Sequence, residues 1–109
     1  MNKEFYKNLL DSMKNPVLVA DPNHIVIYMN KAAIEHFEEG IDLLESNLLL
    51  CHNEESQKMM LDILAEMKNG LDEKLITDNE KHRIYMRAVR DENGKLIGYF
   101  ERYEPPKNQ

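Results

Sequence analysis

The sequence contains no tryptophan and only one cysteine, Cys51, so a disulfide cannot form within a single chain. Such cysteine usage is typical of a protein in a reducing compartment. Long hydrophobic runs are also absent, because stretches such as Leu48 to Leu50 fall far short of the ~20 apolar residues that a membrane span requires. No signal-peptide pattern follows Met1. We therefore expect a cytoplasmic protein that does not enter a membrane.

Basic residues are in the minority. The 14 Lys and Arg residues are outnumbered by 20 Asp and Glu residues, which gives a formal net charge of -6 at pH 7. The averaged field of such a chain repels a phosphate backbone, so nucleic-acid binding is not expected. A chain of 109 residues is expected to form one domain with a modest core. Its seven methionines predict an adaptable interior.

The last third of the chain, His82 to Tyr103, predicts a long β-hairpin. Its turn is Asp91 to Gly94, where the Asn-Gly pair suits the positive φ angles of a hairpin loop. The first arm shows the alternation of a half-buried strand, with Ile84, Met86 and Ala88 between Tyr85, Arg87 and Val89. A hairpin of this length needs further strands and a covering helix to be stable.

The preceding residues supply these elements. A leader helix over residues 3–14 ends at Asn15 and Pro16, and strands follow over 17–20 and 25–29. Asn30 caps a helix from Lys31 to Phe37, which is followed by a loop or single turn over 41–50. The main helix over 54–68 is capped by Asn53, and a strand over 72–77 comes after it. This order predicts an α+β fold, an antiparallel five-stranded sheet with helices packed on one face. The predicted domain spans 16–104, between the leader segment 1–15 and a flexible tail over 105–109.

Asp21 to Ala33, with its turn, strand and Asn-Lys-Ala-Ala helix start, resembles the corresponding region of the PAS sensor domain family. The likeness covers nearly the whole chain. Cys51 to Ser56 is similar to the Cys-His-Pro-x-x-Ser signature of a bacterial PAS subgroup, although Asn53 stands where that signature has proline. Asparagine also suits a helix start, so the predicted beginning of the main helix is unaffected. The segment Ala88 to Asp91, followed by Gly94, Gly98 and Glu101, resembles the closing hairpin of the same subgroup.

The resemblance implies a sensory, signal-transduction module without enzymatic activity. Such a module holds a small-molecule ligand or cofactor between sheet and helices, forms a homodimer through its leader helix and outer sheet face, and signals to a regulatory protein partner. The dimer contact would be formed by Phe5, Leu9, Leu10 and Met13. An alternative is a domain with a filled core that serves only protein–protein interaction.

The candidate ligand-binding residues fall in three groups. They are the pair Cys51 and His52 before the main helix, the helix residues Met59, Ile63 and Met67, and the strand residues Met86 and Arg87. The helix residues would face Ile27, Met29, Tyr85 and Met86 or their strand neighbours, while Arg87 or Arg90 would bind a ligand carboxylate. Ordinary core packing is favoured over pocket lining for the Met and Leu stripe, because such a stripe is more often part of a core. Which side of each strand faces inward cannot be assigned from sequence.

Cys51 and His52 are the one local pair whose chemistry suits a metal or haem. In a haem site His36, Met59, Met60 or Met67 would supply the second axial ligand. A structural zinc site is not expected because no second Cys-His pair is present, and a catalytic thiol lacks a glycine-rich or nucleophile-elbow context. The favoured interpretation is that Cys51 is a small buried apolar residue and that His52 assists the helix cap. His24 and His82 are expected beside solvent at strand starts.

Overall fold

The computed structural model describes residues 2–107. Its helices are α1 (Lys3–Ser12), α2 (Lys31–His36) and α3 (Glu54–Lys68), with short 3-10 helices at Gly40–Leu43 and Leu48–Cys51. Its strands are β1 (Val17–Ala20), β2 (Val26–Met29), β3 (Glu73–Asp78), β4 (Arg83–Arg90) and β5 (Leu96–Glu104). No helix within these residues is long and apolar enough to cross a membrane. The predicted α+β architecture is confirmed.

The strands form a single antiparallel sheet in the order β2-β1-β5-β4-β3. β5 lies at the centre, where it pairs with β1 on one side and β4 on the other. Glu101 of β5 is therefore opposite Leu18 of β1 and opposite Met86 of β4. This pairing joins the N-terminal and C-terminal hairpins into one sheet.

The two faces of the sheet have different environments. On the inner face Leu18, Met86 and Tyr99 are at most 1% exposed, because α2, α3 and the 3-10 helices cover that face. The α3 residues that pack there are Met60, Ile63, Leu64 and Met67. Burial of each large apolar side chain contributes about 1.5–3 kcal/mol to folding. The inner face and α3 therefore form the main core.

The outer face carries an ion-pair network instead. Arg102 pairs with Glu73 and Glu104, and its guanidinium lies 4.4 Å from the centre of the Tyr85 ring. Arg87 also pairs with Glu73. Successive residues of a strand therefore lie in different environments: Met86 of β4 is buried on the inner face, whereas Arg87 is exposed on the outer face.

Local sequence signals place most element ends correctly. The structure has β1 at Val17–Ala20 and α3 at Glu54–Lys68, as predicted. α1 ends at Ser12, two residues earlier than expected, because Met13 adopts an extended conformation (φ -67°, ψ 134°). Two 3-10 helices occupy most of residues 41–50, for which the sequence predicts a loop or single turn. Asn108 and Gln109, part of the predicted flexible tail, lie outside the described residues, as does Met1.

Two glycines have specific roles in the C-terminal hairpin. Gly94 has a φ of +84° in the turn, and its N–H donates to the Asp91 carbonyl. Gly98 lies where β5 approaches β1, since a β-carbon at this position would be 2.6 Å from the Ala20 carbonyl oxygen. A side chain at residue 98 would therefore push the two central strands apart.

The buried Asn30 side chain joins four segments of the chain. Its Oδ1 accepts the N–H of Val17, the first residue of β1, at 3.0 Å. The same atom accepts the Ala33 N–H at 2.9 Å and thereby caps the N-terminus of α2. Its Nδ2 donates to the carbonyls of Leu10 and Asn15 at 3.0 and 3.1 Å. The predicted Asn30 cap is confirmed, and the same side chain also attaches α1 to the domain.

We expect Asn30→Ala to lower the free energy of unfolding by about 2–4 kcal/mol, because it leaves buried N–H and C=O groups unpaired. Urea titration followed by circular dichroism measures this change. The matched control is Asn53→Ala, which removes an exposed cap that accepts only the Ser56 N–H, with an expected cost of about 1 kcal/mol. Equal costs for the two variants would contradict the proposed role of Asn30.

Candidate functional site

The candidate functional site is the space between α3 and the inner face of the sheet, which we call the interior site. Three residues predicted from the sequence meet there: Ile63 and Met67 from α3, and Met86 from β4. Ile63 is 3% exposed, and both methionines are fully buried. They belong to one continuous cluster with Met60 and Tyr99. Methionine side chains can change rotamer around an inserted group at low cost, so this part of the core is adaptable.

A buried histidine lies at the edge of this cluster. The His24 Nδ1 atom is 2.7 Å from the hydroxyl of Tyr99, while its Nε2 atom is buried and has no hydrogen-bond partner in residues 2–107. Burial lowers the pKa of His24, so the ring is neutral at pH 7. Whichever nitrogen carries the proton, Nε2 remains free to donate or accept one hydrogen bond. A buried polar atom without a partner costs about 1–3 kcal/mol.

The backbone at His24 is also unusual. Its φ angle is +67°, in the left-handed region that side chains with a β-carbon seldom adopt. The Asp21 carboxylate holds the turn in place by accepting the N–H groups of Asn23 and Ile25. The expectation that His24 lies beside solvent is therefore wrong, because this turn directs its side chain inward to Tyr99.

Glu101 adds a second polar group to the inner face. It is 9% exposed and lies two residues beyond Tyr99 on β5, between Leu18 and Met86 of the neighbouring strands. Burial raises the pKa of Glu101 to about 7. Burial also raises the pKa of Tyr99, and the nearby Glu101 carboxyl raises it further, so the Tyr99 hydroxyl stays protonated. The interior site thus combines hydrogen-bonding groups on β5 with apolar side chains on α3 and β4.

A surface groove runs beside the interior site, between α3 and the edge strand β3, with a volume of about 360 Å³. Met59 lines it and is 39% exposed, so this candidate residue lies in the groove and outside the buried cluster. Ile63 reaches both the groove and the core. The other apolar lining residues are Leu75 and Ile76, and the charged ones include Lys58, Asp62, Glu66 and Lys74.

The expectation that Arg87 faces the interior is wrong. Arg87 follows Met86 on β4, so its side chain is on the opposite face of the sheet, where it is exposed and pairs with Glu73. Arg90, the other arginine expected to bind a carboxylate, donates to the carbonyls of Met67 and Leu71. Those contacts bind Arg90 to the end of α3.

The expectation that Cys51 is buried is also wrong, since its side chain is exposed at the end of the second 3-10 helix. His52 is exposed too, and the α3 cap is formed by Asn53. Neither residue faces the buried cluster of Met67, Met86 and Tyr99, so the residues present do not fit a haem ligated by this pair. His36, suggested above as an axial ligand, packs against Tyr103 at 4.8 Å between ring centres.

Metal binding finds no support in the arrangement of side chains. Within residues 2–107, no three His, Cys, Asp or Glu side chains lie close enough together to hold a metal ion.

Sequence reasoning missed the polar part of the site, which consists of His24, Tyr99 and Glu101. Tyr99 and Glu101 lie on the same face of β5, and Phe100 between them lies on the opposite face. Phenylalanine is more hydrophobic than either tyrosine or glutamate. The pattern alone therefore gave no reason to place a glutamate inward. The inward position of both residues becomes evident only from the pairing of β5 with β1, which puts Tyr99 opposite the buried Ala20 and Glu101 opposite the buried Leu18.

We expect Glu101→Gln to stabilise the protein above pH 7 and to have little effect near pH 4. Between the ordinary glutamate pKa of 4.5 and the folded value of about 7, the unfolded chain loses its proton while the folded chain retains it, so stability falls as pH rises. Removing this ionisation should raise the free energy of unfolding at pH 8 by on the order of 3 kcal/mol.

Urea unfolding of both proteins at several pH values tests this expectation. Glu92→Gln, in the exposed hairpin turn, is the control and should leave the pH dependence unchanged. A constant difference between Glu101→Gln and the original protein from pH 4 to pH 8 would show that Glu101 does not titrate in this range.

The chain is similar to a known protein family and to several solved structures. The family model for the PAS domain matches residues 4–68. A C-terminal domain from Streptococcus mutans superposes with a TM-score of 0.79 at 20% identity, covering 99% of this chain and 87% of that chain. The PAS domain of Bordetella pertussis BvgS gives a TM-score of 0.69 at 18% identity, covering 94% of this chain and 84% of that one.

A third similar structure is the Aer2 receptor from Vibrio cholerae, a dual PAS-heme oxygen sensor. It has a TM-score of 0.63 at 18% identity, with 84% of this chain and 94% of that chain covered. No curated protein matches the sequence. Because the family model covers more than half of the chain and the sheet has the same fold as solved PAS domains, the chain belongs to the PAS domain family, whose members are generally sensory, non-enzymatic modules of signal transduction.

Proposed function

We propose that this PAS domain is a sensory module that binds a small molecule in the interior site and signals through a homodimer. The observation that carries the ligand proposal is the buried His24 Nε2 atom, which has no hydrogen-bond partner in residues 2–107. A ligand with one hydroxyl, carbonyl or amide group would supply that partner. The cost of burying Nε2 unpaired would then be recovered on binding.

The rest of the interior site indicates the chemistry of such a ligand. Met67 and Met86 are fully buried and flexible, so they can make room for an apolar body. Burial disfavours the ionised form of Glu101, and the same loss of hydration would disfavour a charged ligand group beside it. We therefore infer an uncharged molecule with an apolar body and a single hydrogen-bonding group.

A ligand-free interaction domain is the second candidate function. The observation that favours it is the closely filled core, in which Met60, Met67, Met86 and Tyr99 are at most 2% exposed. A module of this kind would signal only through its surfaces. The two candidates differ in whether the interior site takes up an added probe.

The signalling surface in this proposal is α1. Phe5, Tyr6 and Leu9 of α1 and Met13 directly after it are 42–50% exposed, and α1 buries none of its residues. Leu10 and Asp11 are half-buried; the Leu10 carbonyl accepts from the Asn30 side chain, and the Asp11 carboxylate accepts from the Tyr28 hydroxyl. α1 is therefore held in place by polar contacts while its apolar side faces outward. A second copy of the same helix would cover that side.

Phenol and toluene test the ligand proposal, because they share an apolar ring and differ by one hydroxyl. We expect phenol to raise the melting temperature more than toluene, with an affinity at least tenfold higher, or about 1.4 kcal/mol. In His24→Asn the advantage of phenol should disappear. Asparagine tolerates a positive φ angle, so this variant keeps the turn while it removes the imidazole.

The control variant is His52→Asn, which changes an exposed histidine and should leave both melting shifts unaltered. Native mass spectrometry of the purified protein provides a second measurement, since a retained ligand adds mass that denaturation removes. If neither probe shifts the melting temperature and no added mass is found, the ligand-free interaction domain is the better description.

We expect Leu9→Glu to convert a dimer into a folded monomer, because a carboxylate at the centre of the α1 contact would lose its hydration on association. Light scattering measures the mass, and circular dichroism verifies the fold. The dimer dissociation constant should rise at least a hundredfold. The control is Leu61→Glu, which alters a leucine on α3 that is 50% exposed, and it should leave the mass unchanged. A dimer that survives Leu9→Glu would exclude α1 as the contact.

A further inference from the structure

A second pocket lies where the chain enters and leaves the sheet. We call it the connector pocket. It has a volume of about 330 Å³ and is lined by Lys14, Asn15 and Pro16 before β1, by His36 of α2, by Lys81 and His82 before β4, and by Tyr103 to Pro106 at the end of β5. The Tyr103 N–H donates to the Pro16 carbonyl, which joins the two connecting segments at 3.1 Å. This pocket is distinct from the interior site, since Tyr103 is four residues beyond Tyr99, about 13 Å along the strand.

An aromatic cluster forms one wall of the connector pocket. The ring of Tyr103 lies 4.8 Å from that of His36 and 5.0 Å from that of His82, and the two imidazoles are 6.0 Å apart. Pro16 and Pro106 add apolar surface. Flat ring faces and edges of this kind pack well against a planar ligand.

The charges in the connector pocket are mainly basic. Lys14 and Lys81 are exposed there, and neither forms an ion pair within residues 2–107. The one acidic lining residue is Glu104, whose carboxylate pairs with Arg83 and Arg102. The residues that line the pocket therefore carry a net positive charge, although the chain as a whole carries a net charge of -6.

The Tyr103 hydroxyl provides a neutral donor at the same place. Burial raises the pKa of Tyr103, with a further contribution from Glu101, so the hydroxyl is protonated at neutral pH. It can therefore donate a hydrogen bond to a ligand oxygen that reaches it.

We propose that the connector pocket binds a small organic anion with a flat apolar body, whose carboxylate contacts Lys14, Lys81 and the imidazoles of His36 and His82. The flat body packs against Tyr103 and the prolines. Volume, aromatic wall and uncompensated basic charge together select this class of ligand, and a neutral molecule of the same shape lacks the charge contacts.

Benzoate and benzamide form the matched pair of probes, since they share a ring and differ in charge. We expect benzoate to cause saturable amide shifts in the nitrogen–proton NMR spectrum at Lys14, Asn15, Lys81 and His82, with at least tenfold higher affinity than benzamide. Inorganic phosphate, which has charge without a flat body, should bind at least fivefold more weakly than benzoate.

Lys81→Gln and His82→Gln should each weaken benzoate binding at least threefold. Lys58→Gln is the control, because this exposed lysine of α3 lines the surface groove instead, and it should bind benzoate normally. The same spectra report whether each variant folds. Equal binding of benzoate and benzamide, benzoate-induced shifts centred on His24 and Tyr99, or unchanged benzoate affinity in both variants would overturn the proposal.

Discussion

The hydrogen bonds of the buried Asn30 side chain are the interaction on which the arrangement of the N-terminal half depends. A single amide caps α2, receives the first N–H of β1 and holds the end of α1 through the Leu10 carbonyl. Asparagine is suited to this task because its side chain presents an acceptor and a donor in fixed opposite directions. Aspartate would offer only acceptors when ionised, and two of the partners here are carbonyls. The position of α1 relative to the sheet therefore depends on this side chain, together with the Tyr28 hydroxyl, which donates to Asp11.

This attachment matters for the proposed signalling role because none of the residues of α1 is buried. Its apolar residues Phe5, Leu9 and Met13 are exposed, and its inward contacts are polar. Polar contacts have defined geometry, so α1 can be positioned by the domain without being buried in it. The segment Lys14 to Pro16 joins α1 to β1 and also lines the connector pocket. An event at that pocket would thus act on the residues that connect the proposed dimer helix with the sheet.

The central strand β5 combines opposite environments along its length. Tyr99 and Glu101 face the methionine-rich interior, whereas Arg102 on the other face pairs with Glu73 and Glu104. The ion pairs of the outer face remain close to water, so their charges lose little hydration free energy on folding. A glutamate on the inner face is costly, and its presence together with a His24 nitrogen that has no hydrogen-bond partner in residues 2–107 distinguishes this interior from a simple apolar core.

The sequence by itself determined the elements whose signals are local. Alternation, helical spacing and capping residues are read over a few neighbours, and they placed α3, β1, the closing hairpin and the Asn30 cap correctly. The resemblance of Asp21 to Ala33 to PAS domains likewise identified the family, as the family model over residues 4–68 confirms.

Tertiary structure alone decided which side of each strand faces inward. Met86 and Arg87 are adjacent candidates that end on opposite faces, and a strand pattern with mixed residues on both parities cannot distinguish them. The exposure of Cys51 and the burial of His24 were likewise decided by how the 3-10 segments and the Asp21 turn pack on the sheet. These properties depend on contacts between residues far apart in the chain, such as the 2.7 Å contact between His24 and Tyr99, and local sequence carries no record of such contacts.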